Sequence, residues 1–229
     1  MTVTRTALVT GGTGGLGAAT VSAFLAAGWR VVAPVRPGTA GRLPQGAVPV
    51  EADLMDEAQV RAAAATAAGQ PGAPLRAVVN LVGGYAGSGP VADTPVADFE
   101  RMLAVNLRPT YLTTAATLPH LVAAGGGSVV CVSSRAAVSP FPGAAGYITA
   151  KAAVLAFAGA VAVEYRRQNV RCNTVLPSII DTPANRSGQP DADHSRWVAP
   201  AAIAETILFL ASDASAPTSG AQIPVYGQA

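Results

Sequence analysis

The stretch "TGGTGGLG" (Thr10 to Gly17) follows the β-branched run "TALVT" (Thr6 to Thr10) and leads straight into an apolar, alanine-rich segment. A glycine cluster between a strand and a helix has a physical use. Glycines permit unusual backbone angles and let the chain approach a pyrophosphate, while the first helical turn offers unpaired N–H groups and a partial positive charge. Gly11, Gly15 and Gly17 fall on a T-G-x-x-x-G-x-G spacing, with Thr13 and Leu16 beside them. The stretch predicts a phosphate-binding turn at the start of an α/β fold.

The rest of the chain repeats that strand-then-helix unit. Short apolar runs at Thr6 to Thr10, Arg30 to Val35, Ala77 to Leu81, Ser128 to Ser133 and Val170 to Leu176 read as strands buried on both faces. Helices are expected over Gly15 to Ala27, Asp56 to Ala68, Asp98 to Ala124, Ala145 to Arg166 and Pro200 to Ala211. The alternation predicts one doubly wound α/β (Rossmann-type) domain over residues 1–229, its parallel sheet covered by helices on both faces. "RPGTAGRLPQG" (Arg36 to Gly46) has room for about a turn of helix, so an abbreviated crossover is expected there. The long irregular stretch from Thr182 to Pro200 reads as a substrate lid.

Composition sets the outer limits. A 50% hydrophobic, 12% charged chain of 229 residues has material for one large core. The net charge of +2 comes from scattered basic residues, which argues against a nucleic-acid partner. Glycines, prolines or charges interrupt every apolar run, so no membrane partner is expected, and the opening lacks a signal-type segment. Cys131 and Cys172 lie in apolar runs without metal-ligand or C-x-x-C spacing, which predicts reduced core thiols, a cytoplasmic setting and no metal site.

Six further segments, in order along the chain, extend the glycine turn into a pattern. "ADL" (Ala52 to Leu54), "NLVG" (Asn80 to Gly83), "VNL" (Val105 to Leu107), Ser133–Ser134, "YITAK" (Tyr147 to Lys151) and "LPSIIDT" (Leu176 to Thr182) complete it. On these residues the chain resembles the short-chain dehydrogenase/reductase family over nearly its whole length. The resemblance implies a nicotinamide dinucleotide cofactor held by the glycine turn, Asp53, Leu54, Asn80, Gly83, Pro177, Ile180 and Thr182, together with Tyr147 and Lys151. It also implies a homodimer or homotetramer built on the helices around Asp98 to Ala124 and Ala145 to Arg166.

Cofactor choice turns on the end of the second strand. An acidic residue there holds the ribose 2'-hydroxyl of NAD, and a basic one accommodates the 2'-phosphate of NADP. Arg36 follows Val35 at that place and offers a planar donor fork, so NADP(H) is favoured, with NAD(H) kept open. Arg42 adds a second cation if the short crossover folds back.

Tyrosine needs help to act as an acid or base near neutral pH. Lys151, one helical turn beyond Tyr147, shares its face. A charge about 5 Å from the phenol is worth roughly 3 kcal/mol at a dielectric of about 20, or about two pKa units toward phenolate. The resemblance implies that Ser134 holds the substrate oxygen, Tyr147 passes the proton and Lys151 holds the nicotinamide ribose. In the same scheme Asn106 keeps a water in the relay behind Lys151. The expected activity is hydride transfer between nicotinamide and a carbonyl or alcohol. The alternatives are a pteridine- or quinone-type reductase, or a non-catalytic nucleotide-binding regulator.

"VGGYAGSG" (Val82 to Gly89) and Leu176 to Trp197 resemble the matching segments of dihydropteridine reductases. Arg36 and Ser134 depart from that subgroup and favour ordinary carbonyl chemistry. Tyr85, Asn185, Arg186 and Trp197 are the expected substrate-pocket residues.

Overall fold

A computed structural model describes residues 4–87 and 89–228, so Ser88 in the Val82–Gly89 stretch and residues 1–3 and 229 lie outside the described residues. Seven parallel strands form one sheet: β1 (Thr6–Val9), β2 (Arg30–Val35), β3 (Val48–Glu51), β4 (Leu75–Asn80), β5 (Gly127–Val132), β6 (Val170–Pro177) and β7 (Gln222–Val225). Their spatial order is β3-β2-β1-β4-β5-β6-β7. The winding reverses between β1 and β4, and in such sheets the crevice outside the carboxyl ends of those strands is the ligand site. Thr10 spans this point: its N–H donates to the Val79 carbonyl at 2.9 Å, and its hydroxyl accepts from Leu81 N at 3.0 Å.

Helices α1 (Gly15–Ala26) and α7 (Pro200–Ala211) pack together on one face, where Phe24, Ile203, Ile207 and Leu210 are buried. On the other face lie α2 (Glu57–Ala68), α4 (Arg108–Ala123) and α5 (Ala145–Glu164), with Leu118, Leu121, Val154 and Val161 in the core. α3 (Val96–Asn106) packs on α5, and the short α6 (Pro183–Gly188) lies in the expected lid. The start of α2 shows how sequence sets a boundary. Asp56 caps it by accepting from Ala58 N and Gln59 N at 2.8 and 3.1 Å, while Gln59 Oε1 accepts from Asp53 N at 2.9 Å.

Three expectations are corrected. The helix expected from Asp98 to Ala124 is two helices meeting at Leu107, because Pro109 has no N–H to continue the ladder. Strands β3 and β7 were not expected. Each is a four-residue edge strand containing a proline, Pro49 and Pro224, which hides the strand signal. Finally, α5, at 20 residues and a mean hydropathy of 1.6, is by length and composition apolar enough to cross a membrane. Here it packs against β6 and α3, with Lys151 buried on its inner side. The abbreviated crossover is as expected, with one 3₁₀ turn at Ala40–Arg42.

Candidate active site

The glycine turn is built so that side chains cannot enter it. Gly11 has φ +69°, and a Cβ on Gly17 would stand 1.9 Å from the Gly11 carbonyl oxygen. Gly14 caps α1 without any side-chain hydrogen bond, leaving the first N–H groups of the helix without a side-chain cap. Leu43 of the crossover packs over Gly12, so the crossover does fold back against the turn. At the far side, Thr182 reaches Gly15: a Cβ there would lie 2.7 Å from Thr182 Cγ2. The donor set and its close approach fit a dinucleotide phosphate.

Around the same crevice, β5 delivers Ser134 and α5 delivers Tyr147 and Lys151. Ser133, buried, donates its hydroxyl to the Lys151 main-chain carbonyl at 2.7 Å, which ties the strand end to the helix. Ser134 begins a 3₁₀ turn at Arg135–Ala137, and its hydroxyl accepts from Ala136 N at 3.1 Å. Lys151 is 6% exposed, its ammonium donates to the Val132 carbonyl at 3.1 Å, and Nζ lies 5.9 Å from the centre of the Tyr147 ring. A Cβ on Gly83 would stand 2.6 Å from Asn106 Oδ1 and 3.0 Å from Lys151 Nζ, so Gly83 keeps open the space that both polar groups face.

The electrostatics differ from the sequence expectation. Burial raises the Tyr147 phenol above its ordinary value, the Ser134 hydrogen bond works against that rise, and neighbouring Tyr85 adds to it. Burial also lowers the Lys151 ammonium to about 8, partly offset by Cys131. Nζ is desolvated, turned to the Val132 carbonyl and 5.9 Å from the centre of the Tyr147 ring.

Asn106, fully buried, accepts from Gly84 N at 3.1 Å and donates to the carbonyls of Gly84 at 3.0 Å and Met102 at 2.9 Å. It clamps the Val82–Gly84 backbone beside Lys151. Asn80 is a buried strut: Nδ2 reaches Thr114 Oγ1 at 3.0 Å and Cys131 Sγ at 3.6 Å. Pro177 ends β6, and Ile180 bridges to Val198. Ser178 donates to the Tyr226 carbonyl at 2.6 Å, and Arg196 donates to that of Gln228 at 2.8 Å, so residues 226–228 brace both ends of the stretch from Ser178 to Arg196.

Across the switch point, Arg36 is exposed just past β2, and its guanidinium has no partner among the described residues. Asp53 folds back to accept from Met55 N at 2.9 Å, with Leu54 half-buried between them.

Of the expected pocket residues, Tyr85 stands against Tyr147, ring centres 5.2 Å apart and planes at 87°. The other three are held within the Thr182 to Pro200 segment. Asn185 donates to the Ile180 carbonyl at 2.8 Å, Arg186 pairs with both oxygens of Asp181 at 2.5 and 2.8 Å, and Trp197 stacks on His194 at 4.3 Å. Phe141, 45% exposed and 6.3 Å from Tyr85, was missed. The "SPFPG" stretch (Ser139 to Gly143) that carries it lies just before Tyr147 and offered the signal. Cys131 and Cys172 are buried free thiols. Among the described residues no group of three or more His, Cys, Asp or Glu is placed to hold a metal ion.

The short chain dehydrogenase family model matches residues 5–193. A 2-(R)-hydroxypropyl-CoM dehydrogenase of Xanthobacter autotrophicus is 35% identical, covering 98% of this chain and 98% of its own. A 4-formylbenzenesulfonate dehydrogenase of Comamonas testosteroni is 32% identical over 97% and 96% of the two chains. Among solved structures, a short-chain type dehydrogenase/reductase from Mycobacterium ulcerans superposes with a TM-score of 0.89 at 28% identity, covering 99% of this chain and 90% of that one. This chain belongs to the short-chain dehydrogenase/reductase family. It is an enzyme, an oxidoreductase that interconverts alcohols and carbonyl compounds with a nicotinamide cofactor.

Proposed function

We propose that the enzyme prefers NADP(H) and acts on neutral carbonyl/alcohol substrates, with Tyr147 as the proton donor in reduction. The observation that carries this reading is the convergence of Ser134, at the end of β5, with Tyr147 and buried Lys151 on α5. The bound nicotinamide supplies or accepts the hydride. Ser134 holds the substrate oxygen, and its bond to Ala136 N fixes the direction of its hydroxyl. Tyr147, kept protonated by burial, gives its proton to that oxygen. Lys151 favours the phenolate left behind, while Asn106 positions the Gly84 backbone facing Lys151. Gly11, Thr13, Gly15, Leu16 and Gly17 hold the pyrophosphate, and Arg36 the 2'-phosphate. A pteridine- or quinone-type reductase would not require Ser134, so its convergence with Tyr147 favours the carbonyl reading.

The substrate side is apolar and aromatic. Tyr85, 62% exposed, and Phe141 flank Tyr147, while the one lid cation near Asp181, Arg186, is neutralised by it. That rim suits a flat, uncharged group beside the carbonyl. Thr182 to Pro200 acts as the lid over it. A homodimer or homotetramer would cover the apolar face of Leu103, Leu107, Tyr111 and Phe157 on α3, α4 and α5, and the free thiols suit a cytoplasmic setting.

The test is a panel of aryl ketones, alkyl ketones, acyl thioesters, quinones and quinonoid dihydropterin, each run with NADPH and NADH. Highest kcat/KM with an aryl ketone and NADPH is expected. Turnover confined to quinone or dihydropterin would overturn the reading.

A further inference from the structure

A second cavity lies apart from the catalytic crevice. It is a cleft of about 980 Å³ at the opposite edge of the sheet, where the strands begin. Arg5 precedes β1, Trp29 precedes β2, Arg76 and Arg171 open β4 and β6, and Arg166 lies in the turn before β6. All five side chains line the cleft, against the single carboxylate of Asp213.

Three of the four guanidinium groups are held in place. Arg76 donates to the Ala124 carbonyl at 2.7 Å, and Arg171 donates to those of Thr218 and Ser212 at 3.2 and 3.0 Å. Arg5 lies 4.2 Å over the Trp29 ring and pairs loosely, at 3.6 Å, with the largely exposed Asp213. The Arg166 guanidinium has no hydrogen bond or ion pair among the described residues, while its main-chain carbonyl accepts from Asn169 N at 3.2 Å. A guanidinium has five N–H donors, so each arginine keeps donors free after these contacts. One further donor is left over: Trp29 is 2% exposed, and its indole N–H has no partner. Buried donors are nearly always satisfied, so an unpaired one in the wall of a cationic cleft calls for an acceptor.

We infer that this cleft binds a small polyanion carrying two or more phosphoryl groups, through Arg5, Arg76, Arg166 and Arg171. Four guanidinium forks opposed by one carboxylate exceed what one orthophosphate can use, and planar forks match the oxygen pairs of successive phosphoryl groups. The volume is at the upper end for small-molecule sites, which leaves room for more than the anion alone. The site shares no residue with the catalytic crevice.

Trp29 is also the reporter. With Trp197→Phe in the background, it is the only indole of the two in the chain. Its fluorescence is titrated with tripolyphosphate, orthophosphate and ATP, with sulfate at matched ionic strength, in saturating NAD⁺ and NADP⁺. A saturable change with tripolyphosphate is expected, about tenfold tighter than with orthophosphate, and Arg166→Gln or Arg5→Gln should weaken it about tenfold. ATP binding more tightly than tripolyphosphate would uphold the site and assign it to a nucleotide. Equal binding would uphold it and assign the polyphosphate itself. No saturable change, the same change with sulfate, loss of the signal in saturating dinucleotide, or insensitivity to both arginine variants would overturn the inference.

Discussion

Ser133 and Lys151 are joined by a hydrogen bond of 2.7 Å from the serine hydroxyl to the lysine main-chain carbonyl, so β5 and α5 meet beside Ser134 and Tyr147. That bond sets the distance between a side chain from a strand end and one from a helix. Ser133→Ala should cost about 1 kcal/mol in urea unfolding. It should also lower kcat more than it raises KM, because cofactor and substrate contacts stay while the Ser134–Tyr147 alignment loosens. Unchanged kcat with lost stability would make the bond purely structural.

Gly17 faces the Gly11 carbonyl at a distance no Cβ can occupy, whereas a Cβ on Gly14 would meet the same oxygen at an ordinary 3.4 Å. Gly17→Ala should therefore destabilise the fold by about 2 kcal/mol or more and weaken dinucleotide binding. Gly14→Ala should stay within about 0.5 kcal/mol of the parent. Thermal melts of the two variants, with and without NADPH, check the contrast.

Lys151 gives a pH dependence with a definite sign. Its folded value of about 8 lies below that of an unfolded lysine, so the unfolded chain binds the proton more tightly. Burying the ammonium costs stability below pH 8, and that cost is relieved as pH rises through the window between about 8 and 10.4. The melting temperature of the parent should rise relative to that of Lys151→Met across this range. Over the same range kcat/KM for carbonyl reduction should fall, as the charge that favours the Tyr147 phenolate is lost. A profile flat to pH 10 would contradict the role given to Lys151.

The Arg36 side chain has no partner among the described residues, so removing it breaks no contact among them. Charge-assisted hydrogen bonds of about 1.5–3 kcal/mol imply that Arg36→Ala raises the Kd for NADPH by about tenfold or more. The Kd for NADH should barely move. Equal losses for both would remove Arg36 as the phosphate clamp.

The sequence was most legible where one local rule decides the outcome. The glycine turn, the central strands of β-branched residues and the Tyr147–Lys151 spacing all follow from local chemistry. What stayed hidden depended on tertiary contacts. β3 and β7 carry prolines tolerated only because they lie at sheet edges. The clamp of Asn106 on Gly84 and the commitment of Arg186 to Asp181 could not be read from spacing. Helical spacing put Lys151 on the face of Tyr147 but gave no account of its burial or of its turn toward Val132. That is why spacing did not foresee that burial raises the phenol of Tyr147.

The central claim is that Tyr147 moves the proton, and Tyr147→Phe tests it with one hydroxyl removed. NADPH affinity, read by fluorescence, should stay within about twofold, while kcat for ketone reduction falls by about 10²–10⁴. A variant that binds NADPH normally and still reduces the ketone within about tenfold of the parent rate would contradict the account.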